Sequence, residues 1–206
     1  MQFDPVLISP RQSAMTASGF WRHQTINQFM AQALQARPDH TAVVAYRSDR
    51  VTPVRLGYRE LTRRSDLIAR GLLGLGIGRG DVVSWQLPNW WEFIALALAC
   101  ARIGAVANPI MPIFRQRELK FMLDFGESKV FIVPKNYKGF DYEIMANGMR
   151  SELLFLQHLV VVDGEGDNGF DALLLREDLP PVSADPLGAD DVMLLMYTSG
   201  TTGEPK

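Results

Sequence analysis

The sequence predicts an α/β fold in which helices flank a mainly parallel sheet, with a short hairpin near the N-terminus. Apolar stripes at helical spacing alternate along the chain with short apolar runs typical of buried strands. Hydrophobic residues make up 47% and charged residues 21% of the 206 residues, the balance of a globular domain. Near residue 198 a predicted strand runs into a segment rich in glycine and hydroxyl groups, and in parallel sheets such strand ends bind ligands.

The first predicted elements are an irregular arm, a helix and a hairpin. We expect no regular structure over roughly the first dozen residues. Thr25 and Gln28 have the spacing of a capping box, and the helix that they begin ends at Arg37 and Pro38. Residues 42–46 and 51–56 are predicted to pair as a hairpin, and Pro53 favours an edge position for the second strand.

Alternating helices and strands follow the hairpin. We predict helices over 58–75 and 90–103, and strands over 82–87 and 105–108. Gly76 and Gly104 supply the glycines that commonly end helices. Asn89 and Glu92 again have capping-box spacing, which predicts that Asn89 caps the second of these helices. That helix is apolar nearly all round, so we expect it to be buried.

The last third of the chain contains the remaining predicted elements. We predict helices over 115–125 and 142–156, and strands over 130–133, 158–162 and 192–197. Residues 179–188 contain three prolines, which predicts a linker within the domain.

Charge and cysteine content exclude several classes of protein. The chain has 21 Lys and Arg against 23 Asp and Glu, so it lacks the basic excess of a nucleic-acid-binding protein. Cys100 is alone and cannot form an internal disulfide, so we expect a reducing, cytoplasmic location. The longest apolar run, 93–101, is about half of a membrane span, so no transmembrane segment is expected. Contact with a membrane surface and the oligomeric state stay open.

Three other residue groups are better explained by structure than by chemistry. The glycines of 74–80 follow a helix and precede a strand, the reverse of a dinucleotide-binding motif. The three histidines lack the spacing of metal ligands, so no metal site is predicted: His23, His40 and His158. The tryptophans near Pro88 are expected to pack in the core, with contact to an acyl group as the less favoured alternative: Trp85, Trp90 and Trp91.

The segment after the last predicted strand carries the clearest chemical signal. It contains four hydroxyl side chains, two glycines and a lysine: Thr198, Ser199, Gly200, Thr201, Thr202, Gly203 and Lys206. Glycines let backbone N–H groups approach an anion, hydroxyls donate hydrogen bonds to it, and lysine adds positive charge. A phosphate-binding loop is therefore predicted, with a flexible linker as the alternative. It is not a Walker A loop, because Glu204 and Pro205 separate the second glycine from the lysine.

Residues 197–206 (YTSGTTGEPK) resemble the phosphate-loop signature of the adenylate-forming superfamily. This superfamily includes acyl-CoA synthetases, aryl-CoA ligases, luciferases and the adenylation domains of nonribosomal peptide synthetases. The resemblance continues upstream, in the same order, through 58–61 (YREL), 72–83 (LLGLGIGRGDVV), 87–89 (LPN), 92–93 (EF), 104–106 (GAV) and 108–109 (NP). It implies that residues 1–206 are the N-terminal part of the large AMP-binding domain, truncated at the phosphate loop. The rest of that domain and the small C-terminal domain would be absent.

The resemblance also implies a two-step reaction. A carboxylate attacks the α-phosphorus of ATP to give an acyl-adenylate and pyrophosphate, and the thiol of coenzyme A then displaces AMP. ATP, Mg²⁺ and coenzyme A would be required. By the superfamily's pattern Ser199, Thr201 and Thr202 contact the β- and γ-phosphates. Thr198 belongs to the same loop, Gly200 and Gly203 permit close approach, and Lys206 assists as the catalytic residue.

The identity of the carboxylate and of the acyl acceptor stays open. Residues 20–22 (FWR) and 25–27 (TIN) resemble short- and medium-chain or cyclohexanecarboxylate-type CoA ligases, which implies a fatty, alicyclic or aryl acid. One alternative is an adenylation module that passes its acyl group to a carrier protein. Another is a truncated, non-catalytic product. We expect residues 1–206 to be inactive when isolated.

Overall fold

A computed structural model describes residues 9–182 and 187–197 and confirms the predicted fold class. A parallel sheet of four strands lies between two layers of helices, and a two-stranded hairpin precedes it. The described helices include none with the length and apolar character of a membrane span.

The N-terminal part contains one helix that the sequence did not indicate. Helix α1 spans Ser9–Ala17, so the expectation of an irregular arm is wrong there. Pro10 is tolerated in a first turn, and arginine, glutamine, methionine and alanine are good helix formers. Helix α2 (Ile26–Ala36) has the predicted capping box, because Thr25 Oγ1 accepts from Gln28 N and Gln28 Oε1 accepts from Thr25 N.

The predicted hairpin forms with shorter strands. Strand β1 (Thr41–Ala45) pairs antiparallel with β2 (Val54–Gly57). Residues 51–53 precede the second strand, since Pro53 has no N–H to contribute to a ladder. Arg47 and its neighbours therefore occupy a longer turn than expected.

The central elements alternate as predicted. They are α3 (Tyr58–Gly74), β3 (Val82–Trp85), α4 (Trp91–Ile103), β4 (Val106–Pro109), α5 (Gln116–Phe125) and β5 (Ser128–Pro134). Gly104 ends α4 in the left-handed conformation that glycine favours, at φ 71°. The predicted cap is wrong: Trp90 occupies the N-cap position of α4 without a side-chain hydrogen bond. Burial of Trp90 and Trp91 sets the start of the helix instead.

The later elements are shorter than predicted in two places. Strands β6 (Asn136–Tyr137) and β7 (Phe140–Asp141) form a small hairpin, followed by α6 (Tyr142–Met149), β8 (His158–Val162) and α7 (Phe170–Leu174). Helix α6 ends well before residue 156, because Asn147 and Gly148 are weak helix formers. The strand predicted over 192–197 is reduced to one parallel bridge between Leu194 and Ala107.

The main sheet has the strand order β4-β3-β5-β8, with all neighbours parallel. Alternate residues along its strands face opposite helical layers. One layer, formed by α3, α4 and α7, packs on side chains that include Val83, Val130, Ile132 and Val160. The other layer, formed by α5 and α6, packs on Phe131, Val133, Leu159 and Val161. Because α4 and α5 lie on opposite faces, the connections that follow β3 and β4 diverge and leave a crevice between them.

Candidate functional site

A cleft of about 510 Å³ opens at the carboxyl ends of β3 and β4, where the two connections diverge. Its walls come from the hairpin turn, the two diverging connections, β6 and the segment before residue 198. The lining residues are Tyr46, Ser48, Leu87, Pro88, Asn89, Trp90, Phe93, Pro109, Ile110, Met111, Pro112, Tyr137 and Met196. Ligands of open α/β sheets bind at such positions, so this cleft is the candidate site.

Trp90 is held in the cleft wall from two sides. The Arg47 guanidinium carbon lies 3.5 Å from the centre of its ring, within the range of a cation–π contact. Tyr137 packs edge-on, with 6.1 Å between ring centroids. These contacts fix the ring, which is consistent with the packing role predicted for this tryptophan, although it also lines the cleft.

Arg47 is a buried cation with two carboxylate partners. Its side chain is 3% exposed, and its Nε and Nη2 atoms donate to the two oxygens of Asp49 at 3.1 and 3.0 Å. The same Nη2 donates to Asp163, which follows β8. Burial disfavours the charged form, but the hydrogen bonds to Asp49 and Asp163 outweigh it and the pKa of Arg47 is raised. The arginine therefore ties the hairpin turn to the end of β8.

The segment that leads into residue 198 runs alongside β4. Ala107 N donates to Met193 O at 2.9 Å, and Leu195 N donates to Ala107 O at 2.8 Å. The bridge is parallel, so the segment advances toward the carboxyl end of β4 and brings Met196 into the cleft wall. The chain thus reaches residue 197 at the same edge of the sheet as the cleft.

Tyr197 is anchored on the end of α5. Its hydroxyl donates to Met122 O at 2.5 Å, and its ring lies 6.5 Å from that of Phe125. Burial raises the pKa of Tyr197 to about 12, while Asn108 opposes the shift, so the hydroxyl keeps its proton at neutral pH. Gly126 leaves the necessary space, since a Cβ there would lie 3.1 Å from the tyrosine oxygen.

The predicted phosphate-loop residues lie outside the described residues, namely Thr198, Ser199, Gly200, Thr201, Thr202, Gly203 and Lys206. Sequence reasoning missed Arg47 and Tyr137, since a polar turn containing arginine is usually solvated and the stack on Trp90 joins distant parts of the chain. Within the described ranges, no group of three or more His, Cys, Asp and Glu side chains could hold a metal ion.

Comparison with known proteins agrees with the geometry. Residues 30–206 match the AMP-binding enzyme family. The chain is 31% identical over 204 residues to 2-hydroxy-7-methoxy-5-methyl-1-naphthoate–CoA ligase of Streptomyces carzinostaticus, covering 93% of this chain and 35% of the relative. It is 30% identical to medium-chain fatty-acid–CoA ligase of Escherichia coli K12, covering 95% of this chain and 34% of the relative. It is 33% identical to salicyl-AMP ligase / salicyl-S-ArCP synthetase of Mycobacterium tuberculosis, covering 95% of this chain and 34% of the relative.

A solved structure supports the same assignment of the fold. The apo structure of MbtA from Mycobacterium smegmatis superposes with a TM-score of 0.80 at 30% identity, covering 99% of this chain and 36% of that one. The chain thus spans about a third of the length of these relatives.

Proposed function

The chain belongs to the AMP-binding enzyme family, and we propose that it forms the N-terminal part of a ligase that activates a carboxylate with ATP. The first step joins the carboxylate to the α-phosphorus of ATP and releases pyrophosphate. The acyl-adenylate then transfers its acyl group to a thiol. Residues 1–206 supply the sheet, the cleft and the phosphate loop of this enzyme.

One observation carries the proposal. Residues 193–197 run parallel to β4, and Tyr197 is anchored on α5, so the segment before the proposed phosphate loop reaches the edge where the cleft opens. A phosphate loop that starts there would place ATP beside the cleft. The carboxylate would then lie within reach of the α-phosphorus.

The loop residues have distinct proposed roles. Ser199, Thr201 and Thr202 donate hydrogen bonds to the β- and γ-phosphates, and Gly200 and Gly203 allow the backbone to approach them. Lys206 adds positive charge as the leaving pyrophosphate gains negative charge. Donors that are in place before the reaction stabilise that charge without reorganising, which lowers the barrier. Mg²⁺ would enter with ATP and neutralise part of the phosphate charge.

We propose coenzyme A as the acyl acceptor and a fatty, alicyclic or aryl acid as the substrate. Two relatives are named as CoA ligases, one for a naphthoate and one for medium-chain fatty acids. A carrier protein is the second candidate, because the Mycobacterium tuberculosis relative is named as a salicyl-S-ArCP synthetase.

Carboxylate-dependent exchange of labelled pyrophosphate into ATP tests the proposal. The complete reading frame that contains these residues is assayed with octanoate, cyclohexanecarboxylate and salicylate, and the isolated 206-residue chain is assayed alongside it. We expect exchange with at least one acid for the complete frame and none for the isolated chain. ATP binding without exchange for any acid would contradict the activity. Thioester formation with coenzyme A or with a carrier protein then distinguishes the acceptors.

A further inference from the structure

One buried side chain connects the end of β3 to a turn in the wall of the candidate cleft. Gln86 follows Trp85, the last residue of β3, and is fully buried. Its Nε2 atom donates hydrogen bonds to Met111 O at 2.9 Å and to Phe114 O at 3.0 Å. The amide therefore uses both of its N–H bonds on the connection between β4 and α5.

The two carbonyl groups that Gln86 bonds are the two ends of a β-turn. Within the turn, Phe114 N donates to Met111 O at 3.3 Å, which is the hydrogen bond between its first and fourth residues. Pro112 occupies the second position, where its fixed φ favours a turn. Gln86 thus closes this turn from outside by bonding both of its ends.

Two further side chains bond carbonyl groups of the same turn. Pro112 O accepts from Tyr142 Oη and from Arg115 Nη1, each at 2.8 Å. Arg115 Nη1 also donates to Phe114 O at 2.8 Å. The backbone of the turn is therefore held from the end of β3, from α6 and from the start of α5, although the Met111 side chain is 55% exposed.

The backbone of Gln86 is itself fixed in the sheet. Gln86 N donates to Ile132 O of β5 at 2.9 Å, and the preceding carbonyl, Trp85 O, accepts from Ile110 N at 2.8 Å. The Oε1 atom of Gln86 is buried and has no hydrogen-bond partner among the described residues. An unpaired buried acceptor destabilises the fold, so an apolar side chain would suit this position better if packing alone mattered. The two hydrogen bonds that the amide donates to the turn are what distinguish glutamine here.

We propose that Gln86 is a positioning residue that sets the affinity of the cleft for the acyl part of the acid substrate. It acts through Met111 and Pro112, which line the cleft and form a wall for the apolar part of the acid. Because the turn is held in place before the acid arrives, binding does not have to order it, and the affinity is higher by that cost. This inference rests on the proposed function, since it takes the cleft to receive the acid.

Michaelis constants measured by pyrophosphate exchange in the complete reading frame test this role. The assay uses whichever of octanoate, cyclohexanecarboxylate and salicylate gives the fastest exchange. Gln86→Met keeps an unbranched side chain but removes both donors. We expect the KM for the acid to rise about tenfold, while the KM for ATP and the kcat at saturating acid stay within about twofold. Gln35→Met, which alters an exposed glutamine of α2, should change none of the three constants.

Met111→Ala tests the wall directly. It removes a half-exposed side chain that lines the cleft, so the chain should fold normally, which circular dichroism checks. The KM for the acid should rise about fivefold, because apolar contact with the acid is lost. This variant keeps the test decisive if Gln86→Met fails to fold.

Three results would overturn the role of Gln86. The first is a folded Gln86→Met protein whose KM for the acid lies within about twofold of the parent value. The second is a rise in the KM for ATP, or a loss of kcat, as large as the rise in the KM for the acid, because that pattern indicates general damage. The third is an unchanged KM for the acid in Met111→Ala. Failure of the proposed function looks different, since the parent would then exchange pyrophosphate with none of the acids and both proposals would be wrong.

Discussion

The hydroxyl of Tyr197 donates a hydrogen bond to the backbone carbonyl of Met122 at 2.5 Å. This contact joins the residue immediately before the predicted phosphate loop to the last turn of α5. Because α5 packs against the sheet, Tyr197 is positioned by the core of the domain.

Replacing Tyr197 with phenylalanine should lower the free energy of unfolding by about 1 kcal/mol, because the Met122 carbonyl loses its donor. Urea unfolding measures the change. Tyr46→Phe is the matched control, since Tyr46 is 70% exposed and its substitution should have almost no effect. Equal stability of the two variants would show that the hydrogen bond does not hold the segment.

Gly126→Ala should destabilise the chain and displace Tyr197. The new Cβ would lie 3.0 Å from Met122 O and 3.1 Å from Tyr197 Oη, and such overpacking costs about 1–3 kcal/mol. Gly148→Ala is the control, because the nearest atom would be 3.7 Å away and alanine favours helix α6. Thermal unfolding and near-ultraviolet circular dichroism report the two effects. A Gly126→Ala protein as stable as Gly148→Ala would refute the close packing.

Arg47→Leu should lower the free energy of unfolding by about 2 kcal/mol, because a buried cation that contacts Asp49, Asp163 and the Trp90 ring is lost. Arg59→Leu removes an arginine whose pair with Asp39 is largely exposed, and it should change the free energy of unfolding far less than Arg47→Leu does. Chemical unfolding compares the variants, and tryptophan fluorescence follows the Trp90 environment. Similar losses of stability in the two variants would show that burial does not increase the contribution of Arg47.

Glu92 should make the chain less stable as the pH rises from about 4.5 to about 7. The folded state holds the Glu92 proton up to a pKa of about 7, above the ordinary glutamate pKa of 4.5, so it binds more protons than the unfolded chain in this interval. The full change in the free energy of unfolding is about 3 kcal/mol. Glu92→Gln should flatten this slope, whereas Glu118→Gln should not. Unfolding curves at pH 4.5, 6 and 8 measure it, and parallel pH profiles for the parent and Glu92→Gln would contradict the account.

Rules that use only neighbouring residues predicted most of the helices and strands. They failed where contacts between distant residues determine the structure. The capping box at Thr25 and the helix end at Gly104 depend on neighbouring residues, and both were predicted correctly. The start of α4 depends on burial of Trp90 and Trp91, which overrides the cap that Asn89 could have supplied. Among the described strands, residues 192–197 pair only with β4, through the single bridge at Leu194. The apolar pattern of this segment does not show how many strands will pair with it.

As for the fold, only part of the candidate site could be predicted from the sequence. The position of the cleft follows from the parallel strand order. The phosphate-loop residues rest on their sequence motif and stay a prediction. The stack of Arg47 on Trp90 and the anchor of Tyr197 on Met122 join residues far apart in sequence, so neither had a local signal.

Single-turnover formation of acyl-adenylate at saturating ATP tests the central claim, that residues 198–206 hold the phosphates of ATP, most directly. The parent is compared with Thr201→Ala and Thr202→Ala in the complete reading frame. Removing a donor to developing charge typically costs about 2.7–4 kcal/mol of barrier, so each variant should react about a hundredfold more slowly or worse. If both variants react within about twofold of the parent, the loop does not hold the leaving pyrophosphate and is a flexible linker.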